Sequence, residues 1–116
     1  MTLRSVDTAT NVLPAIVETI VQAVAPETVI LFGSRALGVA RPDSDYDFLV
    51  VVRHDGNERE TSRRIYDALL VRRLGVAVDV IVVSTATLAR NRDNPLFIYR
   101  EALRLGQVVH GTPISC

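Results

Sequence analysis

Residues 31–52 read LFGSRALGVARPDSDYDFLVVV, a stretch in which an apolar strand pattern meets a run of acidic residues. The apolar end, FLVVV, predicts a buried strand, yet that strand is entered through Asp43, Asp45 and Asp47. A carboxylate carried into a buried strand costs free energy unless a positive charge meets it. The three aspartates therefore indicate a site that binds a cation.

The sequence around this stretch predicts helices and strands in alternation. The predicted strands are residues 28–32, 45–52 and 76–83. The predicted helices are residues 13–24, with a start near Asn11 and Pro14, 58–74 and 95–105, with shorter helical turns at 35–38 and after Ser84. Residues 107–110 follow Gly106 as an edge-like segment. Strands separated by helices predict an α/β fold with a largely buried sheet.

Length and composition predict a single domain over residues 1–116. With 13 basic and 13 acidic residues the net charge is zero, so no general attraction to nucleic acid or to membranes is expected. The apolar stretches are too short to span a bilayer, and the first ten residues, MTLRSVDTAT, lack the apolar core of a signal peptide. Because the single cysteine, Cys116, cannot form an internal disulfide, we expect a cytoplasmic protein.

The basic residues exclude several kinds of chemistry. All 13 of them are arginine, and the chain contains no lysine. A Walker-type phosphate loop, a Schiff-base enzyme and a ligase with a lysyl-adenylate intermediate all require a lysine. None of these three classes of protein fits the sequence.

Two of the aspartates and a third one downstream fall into register on the predicted strands. Side chains alternate along a strand, so Asp45 and Asp47 project from the same face, roughly 6 to 7 Å apart. Asp79 interrupts the apolar run VAVDVIVV of the next strand. If the two strands are neighbours, Asp79 joins the other two, and three carboxylates repel one another without a metal ion. Hard oxygen ligands in this number suit magnesium.

Each aspartate also has a structural alternative. Asp43 fits an ordinary loop or turn position. Asp45 and Asp47 would serve equally as a solvated entrance to their strand. Asp79 would serve as the partner of an arginine in the core. These alternatives stay open on the sequence alone.

Gly33 and Ser34 lie where a predicted strand ends and a helical turn begins. Glycine lets a ligand approach the backbone, and the unpaired amides at a helix start attract phosphate. Ser34 adds a hydroxyl donor, and Arg35 can reach an anionic group through charge-assisted hydrogen bonds. Glycine followed by serine is common, but here ten residues separate the pair from Asp45 and Asp47 on the next strand.

This spacing, G-S-x10-D-x-D, resembles the signature of the DNA polymerase β-type nucleotidyltransferase superfamily. The resemblance covers about residues 28–83, with Asp79 where that superfamily carries its third carboxylate, and the tail DNPLFIYREALRLGQVVHG resembles the end of its small members. GSRALG and SDYDFLV are most similar to the minimal nucleotidyltransferases, which are often encoded beside a helical HEPN-type protein as a toxin–antitoxin pair. The resemblance implies a palm-like core, a short mixed sheet flanked by helices. Tyr46 and Phe48 are bulkier than the aliphatic residues usual in the family.

The resemblance also implies a mechanism. Asp45, Asp47 and Asp79 are the implied catalytic residues and metal ligands for two Mg²⁺ ions, which Mn²⁺ can replace. ATP is the implied donor, and its β- and γ-phosphates are expected to bind at Gly33, Ser34 and Arg35. A hydroxyl attacks the α-phosphorus, pyrophosphate leaves, and Asp79 is the expected base.

Three functions remain on the sequence. The first is an enzyme that transfers AMP to a HEPN-type partner and so acts as its antitoxin. The second is an antitoxin that neutralises its toxin by binding alone, and the third is the catalytic subunit of a small-molecule, antibiotic-type nucleotidyltransferase. Almost every residue belongs to the predicted sheet and its helices, so a partner protein is expected to hold the acceptor. The predicted helix 95–105 either packs on its own sheet or presents an apolar surface to that partner through Leu96, Phe97, Tyr99 and Leu103. The zero net charge argues against a nucleic acid acceptor.

Overall fold

The structure is a computed structural model that describes residues 3–53, 57–91, 93–96 and 99–113. Its helices are α1 (Leu3–Val24), α2 (Ser34–Leu37), α3 (Glu58–Arg72), α4 (Thr85–Arg90) and α5 (Arg100–Leu105). Its strands are β1 (Thr28–Phe32), β2 (Tyr46–Val52), β3 (Val78–Ser84) and β4 (Gln107–Gly111). The alternation of strands and helices confirms the predicted α/β class.

The four strands form one mixed sheet in the order β3-β2-β1-β4. Strands β2 and β3 are parallel and are joined through α3, as a parallel pair requires a crossover connection. Strand β1 is antiparallel to both β2 and β4. The segment predicted as edge-like is indeed an outer strand, and the predicted short mixed sheet flanked by helices is confirmed.

Helices cover the two faces of the sheet unequally. One face packs against the long helices α1 and α3 and holds the larger apolar cluster, which includes Ile16, Ile20, Phe48 and Ile65. The other face carries a smaller cluster built from the sheet residues Ile30, Leu49, Val51 and Val83, with Leu88 of α4 and Ala102 of α5 above them. Because α4 and α5 have only six residues each, this second face is the less completely covered one.

Gly106 brings the end of α5 close to the second face. A side chain at this position would overlap the Cγ2 atom of Ile30 and the carbonyl oxygen of Ala102. The amide of Gly106 also donates to that carbonyl at 2.9 Å, which closes the helix. The end of α5 can therefore lie directly on β1 only because residue 106 has no Cβ.

Boundaries of helices and strands depart from prediction at several places. Helix α1 begins at Leu3, well before the predicted start, with Pro14 inside it. Proline favours the first turn of a helix, but here the chain before Pro14 is helical as well, at the cost of one backbone hydrogen bond. Helix α3 ends at Arg72 rather than at residue 74, and Arg73, in the left-handed conformation, follows it. Strand β3 starts at Val78 rather than at residue 76.

The helix predicted from Pro95 is much shorter in the structure. Helix α5 starts at Arg100, and the described residues before it form turns. The Asn94 side chain accepts a hydrogen bond from the amide of Leu96 at 3.0 Å, and such a local bond stabilises a turn in competition with a helix. Phe97 of this predicted helix and the single cysteine, Cys116, lie outside the described residues.

Within the part of the chain that the structure describes, no helix has both the length and the apolar character that a membrane crossing requires.

Candidate active site

Three side chains form a row across neighbouring strands at one end of the less covered face. Asp79 on β3 pairs in register with Asp47 on β2, and Asp47 pairs in register with Phe32 on β1. Residues paired in this way project from the same face of a sheet. The predicted neighbourhood of Asp47 and Asp79 is therefore confirmed. Asp45 lies two residues before Asp47, immediately ahead of β2.

The carboxylates in this region influence one another electrostatically. The pKa of Asp47 is raised above its ordinary value, first because the side chain is partly buried and then because of the negative charges of Asp79 and Asp45. Asp45 and Asp79 are themselves exposed, whereas Asp47 is half-buried. Asp47 is thus the least exposed of the three carboxylates, and the other two surround it with negative charge.

No arginine neutralises this negative charge in the described part of the chain. The ion pairs found there join Arg53 to Glu27, Arg63 to Glu60 and Asp67, and Arg72 to Glu18. None of them involves Asp45, Asp47 or Asp79. Asp79 is exposed, and among the described residues it forms no ion pair with an arginine, which disfavours the alternative of a buried partner in the core.

The carboxylates suit a divalent cation by their chemistry but do not form a finished metal cage. Carboxylate oxygens are the donors that magnesium prefers. Among the residues described by the structure, however, no three acidic, histidine or cysteine side chains are arranged closely enough to hold a metal ion. Asp45, Asp47 and Asp79 would have to turn towards one another to share a cation. Their role as metal ligands stays a prediction.

Gly33 joins β1 to α2 and lies against Asp47. Its backbone has φ 77° and ψ −158°, a conformation that essentially only glycine adopts. A Cβ atom at this position would overlap Oδ2 of Asp47 and lie 3.3 Å from its Cγ. The turn after it is compact, since the amides of Ala36 and Leu37 both donate to the Gly33 carbonyl, at 3.1 and 3.2 Å. Gly33 and Ser34 are thus brought next to the row, while their contact with phosphate stays a prediction.

Arg35 makes its contacts with the loop that leads to Asp45. Its Nε and Nη2 atoms donate to the carbonyl of Ser44 at 3.3 and 2.9 Å, and Nη2 also donates to the carbonyl of Pro42 at 3.2 Å. The guanidinium carbon lies 4.3 Å from the centre of the Tyr46 ring, a cation–π arrangement. Arg35 therefore ties the loop 42–44 to the start of β2. Whether it also reaches a phosphate stays a prediction.

The bulky residues of the aspartate motif face the core, as their apolar character predicts. Tyr46 stacks on Phe48 with ring centres 6.5 Å apart and planes 9° from parallel. Both rings are buried on the face covered by α1 and α3, opposite to the carboxylates. They anchor the beginning of β2 on one face while Asp47 projects from the other.

The outer strand β3 is held from its free edge by α3. The hydroxyl of Tyr66 accepts a hydrogen bond from the amide of Val80 at 2.8 Å, immediately after Asp79. Glu58 accepts from the amide of Ser84 at 3.0 Å, further along the same strand. These contacts satisfy amides that an outer strand would otherwise expose, and they fix the strand that carries Asp79.

A cavity of about 370 Å³ lies beside the row, between the sheet and α5. Its lining is mostly apolar, with Tyr99 and Glu101 as the residues that bring polar groups to it. The lining residues are Phe32, Gly33, Leu37, Ile81, Tyr99, Glu101, Ala102 and Leu105. The sequence does not reveal this cavity, because it leaves open whether the predicted helix 95–105 packs on its own sheet or contacts a partner. Tyr99 and Leu103 pack against the smaller apolar cluster, as packing on the sheet predicts, whereas Leu96 is 85% exposed.

Comparison with known proteins supports an assignment by family. A solved structure of a toxin–antitoxin complex with AMP-PNP contains a chain with 18% sequence identity and a TM-score of 0.53. The match covers 84% of this chain and 73% of that chain, and at such identity it shows a shared fold alone. No curated protein matches the sequence. The family model described as a nucleotidyltransferase domain matches residues 13–103, a range that includes the Gly33–Ser34 turn and the three carboxylates. The chain therefore belongs to the nucleotidyltransferase domain family.

Proposed function

We propose that the protein is a magnesium-dependent enzyme that transfers AMP from ATP to a hydroxyl group of a partner protein, a HEPN-type toxin, and so acts as its antitoxin in the cytoplasm. The observation that carries this proposal is the pairing of Asp47 with Asp79 on adjacent strands, with Gly33 against Asp47. Two carboxylates side by side, with no ion pair to an arginine of the described residues, favour a cation and a phosphate chain as the missing partners.

The phosphate end of the nucleotide is assigned to the Gly33–Ser34 turn. Because Gly33 has no side chain, a phosphate can approach its backbone close to Asp47. Ser34 offers a hydroxyl donor at the same turn. Magnesium held by Asp45, Asp47 and Asp79 would neutralise phosphate charge and lower the pKa of the acceptor hydroxyl. The role of Arg35 is to hold the loop that carries Asp45.

The proposed step is an in-line displacement at the α-phosphorus. The acceptor oxygen forms a bond to that phosphorus, the bond from it to the oxygen bridging to the β-phosphate breaks, and pyrophosphate leaves. Asp79 takes the hydroxyl proton, since it is exposed on the outer strand, where an acceptor from another molecule can reach it. A tyrosine hydroxyl is the preferred acceptor because a phenol loses its proton more readily than the alcohol of serine or threonine.

A protein acceptor is favoured over a nucleic acid acceptor by charge. The chain has no net charge, whereas proteins that hold nucleic acid usually present a basic surface. The similar fold in a toxin–antitoxin complex with AMP-PNP supports both an adenine nucleotide and a toxin as partners, although that description belongs to the other protein.

One observation favours a second function, that of an antitoxin that neutralises its partner by binding alone. In the described ranges of the chain the acidic side chains are not arranged as a ready metal site. A protein that only occludes a toxin would have no need for such a site. The two functions differ in whether magnesium and ATP bind together.

Thermal unfolding of the full chain with ATP tests the proposed function. A ligand that binds only the folded state raises the melting temperature by mass action. We expect ATP to raise it with magnesium or manganese and not with a chelator. The increase should vanish in Asp45→Asn and Asp47→Asn and persist in Asp43→Asn, a matched change at an exposed loop position. An equal increase in the presence of the chelator would contradict the metal site.

A further inference from the structure

We infer that the cavity between the sheet and α5 holds the nucleoside end of the donor nucleotide. This inference rests on the proposed function, since it assumes that the phosphates bind at Gly33 and Ser34. Gly33 belongs both to the phosphate turn and to the lining of the cavity. If the phosphates of a ligand lie at this glycine, a group attached to them can enter the cavity.

The positions proposed for the attacking and leaving groups on the sheet indicate that this group is the nucleoside. Asp79, Asp47 and Phe32 follow one another from the outer strand β3 to β1, where Gly33 comes next in the chain. The acceptor reaches the phosphorus from the side of Asp79, and pyrophosphate leaves on the side of Gly33. Attack and departure are therefore aligned across the strands, from β3 towards β1.

In an in-line displacement the ribose 5′-oxygen is one of three oxygens that project sideways from this line. One of the directions open to it runs along the strands. Ile81 follows Asp79 by two residues on the same face of β3, and it lines the cavity. The cavity thus begins where the ribose is expected to leave the phosphorus, and α5 covers it there.

The chemistry of the lining suits a nucleoside better than a further charged group. Phe32, Leu37, Ile81 and Leu105 offer apolar surface to the faces of a base. Glu101 is exposed at the rim and offers acceptor oxygens to the hydroxyl groups of a ribose. The volume of about 370 Å³ lies within the range of roughly 300 to 1,000 Å³ that is usual for small-molecule sites. Because recognition is mainly apolar, we expect purine nucleotides to bind more tightly than pyrimidine nucleotides.

A comparison of two ligands separates this inference from the proposed function. Tripolyphosphate carries the phosphate chain of ATP without the nucleoside, so its binding with magnesium reports only on the carboxylates and the phosphate turn. Leu105→Ala removes apolar surface from the cavity at a side chain that is 48% exposed, where the fold tolerates the change. Leu70→Ala is the matched control, since Leu70 lies on α3 away from the cavity and is 77% exposed.

Titration calorimetry of the full chain with magnesium gives the test. We expect wild type to bind ATP more tightly than tripolyphosphate, and Leu105→Ala to weaken ATP at least about fivefold without changing tripolyphosphate. Leu70→Ala should change neither affinity. If wild type binds both ligands equally, or Leu105→Ala leaves ATP affinity unchanged or weakens both ligands alike, the cavity does not hold the nucleoside. If wild type fails to bind tripolyphosphate, the proposed function fails and the inference falls with it.

Discussion

The backbone of Gly33 lies so close to the carboxylate of Asp47 that no other residue can occupy position 33 without displacing it. A Cβ atom there would overlap Oδ2 of Asp47, and the backbone of Gly33 already has a positive φ of 77°. The sequence assigns the two residues to different motifs, Gly33 to the phosphate turn and Asp47 to the aspartates of the predicted metal site. Their contact makes the turn and the row a single structural unit.

Replacement of Gly33 by alanine tests this contact. We expect Gly33→Ala to cost about 1–3 kcal/mol of stability through backbone strain and to abolish the binding of ATP with magnesium, because Asp47 must move. Gly38 provides the control, since it has φ +74° but no atom within 4 Å of an added Cβ. Gly38→Ala should destabilise the fold to a similar extent or less and retain ATP binding. Loss of binding in both variants would mean that strain alone explains the effect.

The raised pKa of Asp47 predicts how the metal-free protein responds to pH. The unfolded chain ionises Asp47 at a lower pH than the folded chain does, so the stability that this group contributes is present below its ordinary pKa and lost as pH rises through the raised value. Asp47→Asn should therefore raise the melting temperature at neutral pH in a chelator, and the gain should shrink below about pH 4. A gain in melting temperature that stays constant down to acid pH would contradict the raised pKa of Asp47.

Asp79→Asn is expected to be neutral or stabilising in the metal-free protein and to abolish nucleotide transfer. The change removes one of the negative charges that act on Asp47, and the ion pairs formed by the described residues do not include the exposed Asp79. Chemical denaturation of wild type and variant in a chelator measures the difference. Unfolding of the variant under these conditions would show that Asp79 is a structural carboxylate.

Arg35→Lys separates two roles of this arginine, because lysine keeps the charge but cannot form the same paired hydrogen bonds. If Arg35 mainly holds the loop, the variant should lose roughly tenfold or more in transfer rate through a misplaced Asp45. The amide of Ser44, which donates to the carbonyl of Arg41 at 3.0 Å, should then exchange with solvent faster. Full activity and unchanged exchange in Arg35→Lys would instead favour a direct contact of the charge with phosphate.

The adjacency of Asp47 and Asp79 is the part of the site that the sequence predicts best. An apolar strand, a helix and a second apolar strand form a parallel pair almost by necessity, and two carboxylates near the starts of the two strands then meet. The contact between Gly33 and Asp47 is harder to predict from the sequence. It depends on the antiparallel register of β1 with β2, which places Phe32 opposite Asp47.

The cavity could not be predicted because it depends on where α5 packs. The sequence from Asn94 onward has the features of a helix start, yet the Asn94 side chain stabilises a turn, and the helix begins only at Arg100. The position of α5 on β1 also requires glycine at residue 106, because a Cβ atom there would overlap Ile30. Tertiary packing therefore decides this region over local propensity.

Intact-mass spectrometry of the partner protein tests the central proposal, nucleotide transfer to a protein, most directly. The full chain is incubated with ATP, magnesium and the protein encoded next to it, with Asp45→Asn and Asp79→Asn as controls. We expect the wild type to increase the partner's mass by one or more AMP groups and both variants to leave it unchanged, since each lacks a carboxylate of the proposed site. If the partner's mass stays unchanged with wild type while its toxicity is suppressed by wild type and variants alike, the protein acts by binding and is not an enzyme towards this partner.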